Sequence, residues 1–219
     1  LDDSCELAYL GLGTIACSQG RLKAGLESFE KAFLLSPLIR ETAVAFHKAA
    51  ISASDYERAE SAFRTALQAL PLHRRLRFIL IDLLLRQLKY DQAMAEIETA
   101  MSDFGVDDGL LSAALSIRLR LGPLCISSVP GVPRSVSLCM IIKNEEEHLA
   151  RCLHSAKPVV SEMIVVDTGS TDRSKEIAKA FGARVFEIAW EDDFAIARNF
   201  SLSKASGDWI FALDADEMV

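Results

Sequence analysis

The first part of the chain, up to about residue 122, shows apolar residues at every third or fourth position, which predicts one helix after another. The pattern also repeats with a period of 34 residues: an aromatic or aliphatic residue is followed by an alanine and then by a helix breaker. The three copies are Phe29, Ala32 and Pro37; Phe63, Ala66 and Pro71; and Ile97, Ala100 and Gly105.

The repeated residues have a physical reason to recur. Small residues at Gly25, Ala59 and Ala93 let two helices approach closely, the large residue fills the gap, and Pro or Gly ends the second helix. The pattern resembles the tetratricopeptide repeat. That resemblance implies a helical solenoid over residues 1–122, with 108–121 as a solvating or capping helix. Two roles stay open: the solenoid binds a peptide or protein partner, or it serves as a spacer or dimerisation surface.

Residues 123–135 change to Ser, Pro and Gly, which predicts a linker. After it the periodicity changes, and over residues 136–219 fully apolar runs alternate with amphipathic segments. The runs are 136–142, 163–166, 184–188 and 209–213, and the predicted helices are 145–157, 172–182 and 193–205. This alternation predicts a Rossmann-like parallel sheet with helices on both faces. The whole chain is thus expected to be an α solenoid followed by an α/β domain.

Candidate chemistry follows three of the apolar runs. Asn144, Asp167 and Asp214 each stand at the carboxyl end of a predicted strand, where parallel sheets bind ligands. Asp216 adds a second carboxylate, separated from Asp214 by one residue, and such a pair is suited to a divalent cation against phosphate oxygens. Gly169, in the loop after Asp167, allows a ligand to approach the backbone closely.

Several of these polar residues also have a purely structural interpretation. Asp172 and Asp193 are each expected to cap the helix that follows them, and Trp190 and Phe194 to staple one. Arg198 either reaches a base or a diphosphate or forms a surface ion pair. His47, His73 and the cluster Arg74, Arg75 and Arg77 are expected to be solvated helix surface.

Taken in order, the motifs between Val136 and Glu217 resemble the nucleotide-binding half of a GT-A glycosyltransferase of the inverting family 2. The motifs are Asn144-Glu145; Asp167 to Asp172 as Asp-x-Gly-Ser-x-Asp; Ala197-Arg198-Asn199; and Gly207-Asp208-Trp209 leading into Asp214-Ala215-Asp216. The resemblance implies that a nucleotide-sugar, most often a UDP-sugar, is the donor.

The resemblance also implies roles for individual residues. Asp167 would contact the uracil or ribose, with Glu145 and Arg198 supporting the nucleoside, and Asp216 would ligate Mn²⁺ or Mg²⁺, with Asp214 beside the ribose and metal. The remaining expected nucleotide-sugar contacts are Asn144, Gly169, Ser170 and Asn199. In such enzymes the base that activates the acceptor hydroxyl follows the metal motif, so we expect it beyond Val219.

Two further expectations concern the extent of the protein. The chain starts with Leu and stops just after the metal motif, so it is expected to be a fragment with the donor half only and to be inactive in sugar transfer. The alternative is a repeat-based interaction module with a vestigial nucleotide-binding domain. A nucleotidyltransferase is disfavoured because residues 142–146 lack the Gly-rich loop of that class.

The composition excludes some classes of binding partner. A net charge of −7 offers no basic surface for nucleic acid, and no run reaches the roughly 20 apolar residues of a membrane span. The five cysteines are odd in number and none are at metal-ligand spacing, which favours free thiols and a cytoplasmic location.

Overall fold

The computed structural model describes residues 5–124 and 135–219, so positions 125–134 of the predicted linker, with Cys125, lie outside the described residues. Within the described ranges the chain forms ten α-helices and four β-strands. Contacts divide it into two compact units, Leu1–Glu96 and Ile97–Val219. The domain boundaries expected at residues 122 and 136 remain a prediction.

The first unit is built from the repeated helices. Their bounds are α1 (Glu6–Ser18), α2 (Leu22–Leu35), α3 (Arg40–Ala53), α4 (Tyr56–Ala69), α5 (Arg74–Arg86) and α6 (Tyr90–Phe104), the last of which continues into the second unit. Helix α1 packs on α2 and α3, α2 packs on α3 and α4, and α4 packs on α5. Contact between every second helix is typical of stacked repeats. The predicted tetratricopeptide-type fold is confirmed.

Three aromatic rings form the centre of the first unit. Phe33, Phe46 and Phe63 are fully buried, and the centroid of Phe33 lies 5.5 Å from that of Phe46 and 4.5 Å from that of Phe63. The small residues in register do allow close approach: a Cβ on Gly25 would lie 2.3 Å from the Sγ of Cys17. The period of 34 residues therefore reflects a packing requirement.

Some residues expected to be solvated have structural partners instead. Arg77 is buried, with Nη1 2.7 Å from the Oε2 of Glu96 and Nη2 donating to the carbonyl of Pro71. His73 caps α5, since its Nδ1 accepts a hydrogen bond from the N–H of Leu76. The interpretation of Arg77 as solvated was wrong because helical spacing places its side chain toward α6, where Glu96 compensates the buried charge.

The second unit contains the parallel sheet. After α7 (Asp108–Leu121) come β1 (Val136–Ile142), α8 (Leu149–Ala156), a 3₁₀ turn (Lys157–Val159), β2 (Glu162–Asp167), α9 (Ser174–Ala180), β3 (Arg184–Glu187), α10 (Phe194–Lys204) and β4 (Trp209–Ala212). The strand order is β3-β2-β1-β4, with every pair parallel. The predicted α/β class is confirmed. No helix among the described residues is long and apolar enough to cross a membrane.

The largest difference from the predicted bounds is at α8. It begins at Leu149 rather than near Glu145, and residues 146–148 form a turn before it. The backbone N–H groups of residues 144–146 donate to side chains that follow β2.

A buried carboxylate holds the amino-terminal ends of three strands together. Oε1 of Glu162 accepts hydrogen bonds from the Oγ of Ser137 at 2.6 Å and from the N–H and Oγ of Ser206 at 2.6 and 2.8 Å. Burial alone would raise the pKa of Glu162, but these hydrogen bonds and the nearby Arg184 outweigh it, so its pKa lies below the ordinary 4.5.

We predict that Phe63→Ala destabilises the first unit by about 3–5 kcal/mol, because it removes a ring from a fully buried cluster. Leu72→Ala, at a side chain that is 71% exposed, is the control and should change stability by less than about 0.5 kcal/mol. Chemical denaturation followed by helical circular dichroism measures both. Equal losses would show that the aromatic cluster is not the core of the unit.

We also predict that Glu162→Gln lowers the free energy of unfolding by about 1–3 kcal/mol at pH 7. The pKa of Glu162 is lower in the folded state, so its contribution is present above about pH 4.5 and is lost as the pH falls through the folded pKa. Denaturation of both proteins from pH 7 to pH 3 should therefore show the difference shrinking. A difference independent of pH would mean that the charge of Glu162 contributes nothing.

Candidate active site at the carboxyl edge of the sheet

The site lies where the strand order reverses. From β1 the chain goes to β2 and β3 on one side and then returns to β4 on the other, so the strand order reverses between β1 and β4. Such a switch point leaves a crevice at the carboxyl ends of the strands. A cavity of about 370 Å³ is found there. Its lining residues are Ile141, Ile142, Lys143, Glu145, Thr168, Trp190, Phe194, Arg198, Asp214, Ala215 and Asp216.

The loops after β1 and β2 are joined by hydrogen bonds. The N–H groups of Asn144 and Glu145 donate to the Oγ atoms of Ser170 and Ser174, at 2.9 and 2.7 Å. In return, Oδ1 of Asn144 accepts from the N–H of Thr171 at 2.8 Å. Asn144 itself has a left-handed backbone, with φ of 58°. This network fixes where Glu145 enters the cavity.

Asp167 is buried at the end of β2, with 1% of its surface exposed. Its Oδ2 accepts hydrogen bonds from the N–H groups of Gly169 and Ser170, both at 3.0 Å. Its Oδ1 is buried and has no hydrogen-bond partner among the described residues. A buried acceptor of this kind needs a donor, which a ligand N–H or hydroxyl would supply.

The carboxylates after β4 remain open to a ligand. The side chains of Asp214 and Asp216 are exposed and border the cavity, and Nη2 of Arg198 lies 3.8 Å from Oδ1 of Asp214. Glu217 is used differently: its Oε2 accepts from the N–H of Asp214 at 3.0 Å and closes the turn. Asp216 makes no hydrogen bond or ion pair with the described part of the chain.

The acidic turn also affects a buried thiol behind it. Sγ of Cys152 lies 3.4 Å from the carbonyl oxygen of Asp214. Burial first, and then the negative charges of Glu217, Asp216 and Asp214, raise the pKa of Cys152 to about 12. Cys152 is therefore a neutral thiol that packs beneath the turn.

One wall of the cavity is aromatic. The rings of Trp190 and Phe194 meet edge to face with centroids 4.7 Å apart, and Nε1 of Trp190 donates to Oδ1 of Asp192 at 2.8 Å. Asp193 caps α10, as expected, by accepting from the N–H of Ala195 at 2.7 Å. The two rings therefore contact each other at the start of α10, and they add an aromatic surface to the cavity.

The structure places some of the predicted site residues in the cavity and others beside it. Glu145, Arg198, Asp214 and Asp216 line one cavity, whereas Asn144, Asp167, Gly169 and Ser170 form the loop pair beside it. Asn199 is exposed and is not among the lining residues. Lys143 and Thr168 were missed, although the position of each directly after a strand was a usable signal.

A divalent cation fits this site only if a bound ligand supplies some of the coordinating atoms. Among the described residues no group of three or more His, Cys, Asp or Glu side chains is arranged to hold a metal. Asp214 and Asp216 offer two carboxylates, and Mg²⁺ is commonly held by one or two carboxylates together with substrate phosphates. The donor set therefore suits a metal that arrives with a phosphorylated ligand.

Comparison with known proteins agrees with this geometry. Residues 137–219 match the family model of glycosyl transferase family 2, and residues 46–102 match that of the tetratricopeptide repeat. By this match, residues 137–219 are similar to glycosyl transferase family 2 and are called the family 2 domain below. Residues 46–102, within the repeated helices, are similar to the tetratricopeptide repeat.

Individual relatives cover only part of either chain. A TPR repeat-containing protein of Synechococcus elongatus is 55% identical over 37% of this chain and 20% of its own length. An uncharacterized glycosyltransferase of Rickettsia typhi is 39% identical over 38% of this chain and 28% of its own length. The chain thus spans less than a third of these relatives. The solved structure of YrrB, a TPR protein with an unusual peptide-binding site, is 16% identical with a TM-score of 0.42, over 55% of this chain and 62% of that one.

We predict that Asn144→Ala destabilises the family 2 domain more than Asn144→Gly, by about 1 kcal/mol. Both changes remove the hydrogen bond to Thr171, but only alanine is strained at the left-handed φ of 58°. Chemical denaturation of the two variants measures the difference. Equal destabilisation would show that this backbone conformation is not retained.

Proposed function

We propose that this chain provides the nucleotide-sugar site of a glycosyltransferase that uses Mn²⁺ or Mg²⁺. The single observation that carries the proposal is the cavity at the strand-order reversal, which brings Glu145, Arg198, Asp214 and Asp216 together from three separate loops and helices. The family 2 match supports the activity in general terms. The activity of a longer protein, its sugar and its acceptor are part of the proposal, as is a cytoplasmic location.

The charge of the cavity favours a metal-bound diphosphate. Lys143 and Arg198 attract phosphate, but Asp214 and Asp216 repel it at close range. A divalent cation between the two aspartates would reverse that repulsion, and when bound it would neutralise charge that develops on the leaving diphosphate. Arg198, 3.8 Å from Asp214, would then turn its guanidinium to the phosphate oxygens.

The nucleoside would lie toward β2. We assign Asp167 to the base or ribose because its Oδ1 is buried without a partner in the described residues. Glu145, held by Ser174, would border the same end of the ligand, with Asn144, Gly169 and Ser170 shaping the loop. UDP is the nucleotide that this arrangement is proposed to take.

The aromatic wall would contact the apolar parts of the donor. Trp190 is held by Asp192, and Phe194 remains 69% exposed beside it. Large apolar surface next to charged groups is a common feature of ligand sites. We assign none of the described carboxylates as the base that activates the acceptor hydroxyl, since those at the cavity already have ligand-holding roles.

The helical repeats have a groove of their own. A cavity of about 500 Å³ is lined mainly by α3, with Cys17 from α1 and Phe29 from α2. Its surface is largely apolar, and its charged lining residues are Arg40, Glu41 and Lys48. We propose a peptide or protein as its occupant, in keeping with the tetratricopeptide match.

Calorimetry with UDP tests the proposed site. Wild type should bind UDP when Mn²⁺ is present and bind it at least about tenfold more weakly without the metal. Asp216→Ala should lower the affinity in Mn²⁺ by about tenfold or more, because it removes an open carboxylate of the cavity.

Glu191→Ala is the matched control, since Glu191 is an exposed carboxylate before α10 that does not line the cavity. It should bind UDP as wild type does. No heat from wild type, or equal heats for wild type and Asp216→Ala, would contradict the proposal and favour an interaction module with a vestigial domain.

A further inference from the structure

The end of α6 and the whole of α7 belong to the same compact unit as the sheet. Glu98 on α6 is 2% exposed and forms ion pairs with Arg118 of α7 and with Lys157, which follows α8. Nε of Arg118 also donates to the carbonyl of Ala180 in α9, at 3.1 Å. These helices are therefore attached to the family 2 domain by buried, charge-assisted contacts.

The side chain of Arg173 links these helices to a loop of the candidate site. Nη1 of Arg173 lies 2.8 Å from Oδ1 of Asp108, at the start of α7, and Nη2 donates to the carbonyl of Val106 at 3.2 Å. On its other side, the N–H and Nε of Arg173 donate to Oε2 of Glu146, at 2.9 and 3.3 Å. Arg173 thus bonds to the α6–α7 connection and to the loop after β1 at once.

Glu146 is part of the loop that lines the cavity. Its N–H donates to Oδ2 of Asp172 at 3.1 Å, and the preceding N–H of Glu145 donates to Ser174. The bonds from the backbone and guanidinium of Arg173 lower the pKa of Glu146, because they favour its ionised form. Lys143 and Glu145, both in the cavity wall, are at most three residues away.

We propose that Arg173 is a positioning residue: it holds the Lys143–Glu146 segment in place by tying it to the α6–α7 connection. The helical segment from Ile97 to Leu121 then supports a loop of the donor site through its bonds to Arg173. The consequence for nucleotide binding rests on the proposed function, but the positioning itself does not.

Hydrogen–deuterium exchange tests the positioning without any ligand. The N–H groups of Asn144 and Glu146 are bonded to side chains of the loop after β2, and that of Glu145 to Ser174 at the start of α9. Their exchange therefore reports when the loop after β1 separates from these residues. In Arg173→Met, which keeps the length of the side chain but loses its guanidinium, peptides covering 143–147 should exchange about fivefold faster.

Arg184→Met is the matched control. Like Arg173, Arg184 bonds both to a carboxylate, that of Glu162, and to a carbonyl, that of Lys204, but it does so at the opposite end of the sheet. It should leave exchange at 143–147 unchanged. Equal exchange in Arg173→Met and Arg184→Met would overturn the proposal.

A second pair of variants tests the part played by the helical segment. Asp108→Arg places a cation beside Arg173 and should speed exchange at 143–147 by about twofold. Asp91→Arg, in the first turn of α6, is the control and should leave exchange at 143–147 unchanged. If peptides covering 143–147 exchange at the same rate in Asp108→Arg as in Asp91→Arg, the helical segment takes no part in positioning the loop.

Nucleotide binding separates this proposal from the previous one. If both hold, the affinity for UDP with Mn²⁺ falls in Arg173→Met and is retained in Arg184→Met. If wild type does not bind UDP, the proposed function is overturned while the exchange result still decides the role of Arg173.

Discussion

The order of four parallel strands is the constraint on which the rest of this structure depends. Because β1 is flanked by β2 on one side and β4 on the other, the strand order reverses between β1 and β4. The cavity lies at the carboxyl edge of these strands, where Asp214, Lys143 and Glu145 line it together. The strands are in turn aligned by Glu162, whose hydrogen bonds to Ser137 and Ser206 join the start of β1 to the loop that leads into β4.

Rigidity at this edge comes from side chains that bond to backbone. Ser170, Asp172 and Ser174 each accept an N–H from the loop after β1, so two loops of different strands behave as one element. Such bonds remove the conformational freedom that a ligand would otherwise have to restrict, which favours binding.

Periodicity in the sequence predicted both fold classes, whereas contacts between distant segments left no pattern to detect. The 34-residue period and the apolar runs each reflect a packing requirement that acts within a short segment. Arg77, expected to be solvated, is buried against Glu96, and no local pattern specifies that partner. Arg173 was likewise unremarkable in the sequence, since its bonds to Val106 and Asp108 span more than 60 residues.

The proposed function requires Asp214 and Asp216 to hold a divalent cation against the diphosphate of a nucleotide. Anomalous diffraction from crystals soaked with Mn²⁺ and UDP tests this requirement most directly. We expect an anomalous peak between the two carboxylates, with the diphosphate beside it and the uridine next to Asp167. A nucleotide bound elsewhere, or a Mn²⁺ peak away from both aspartates, would contradict the proposed function.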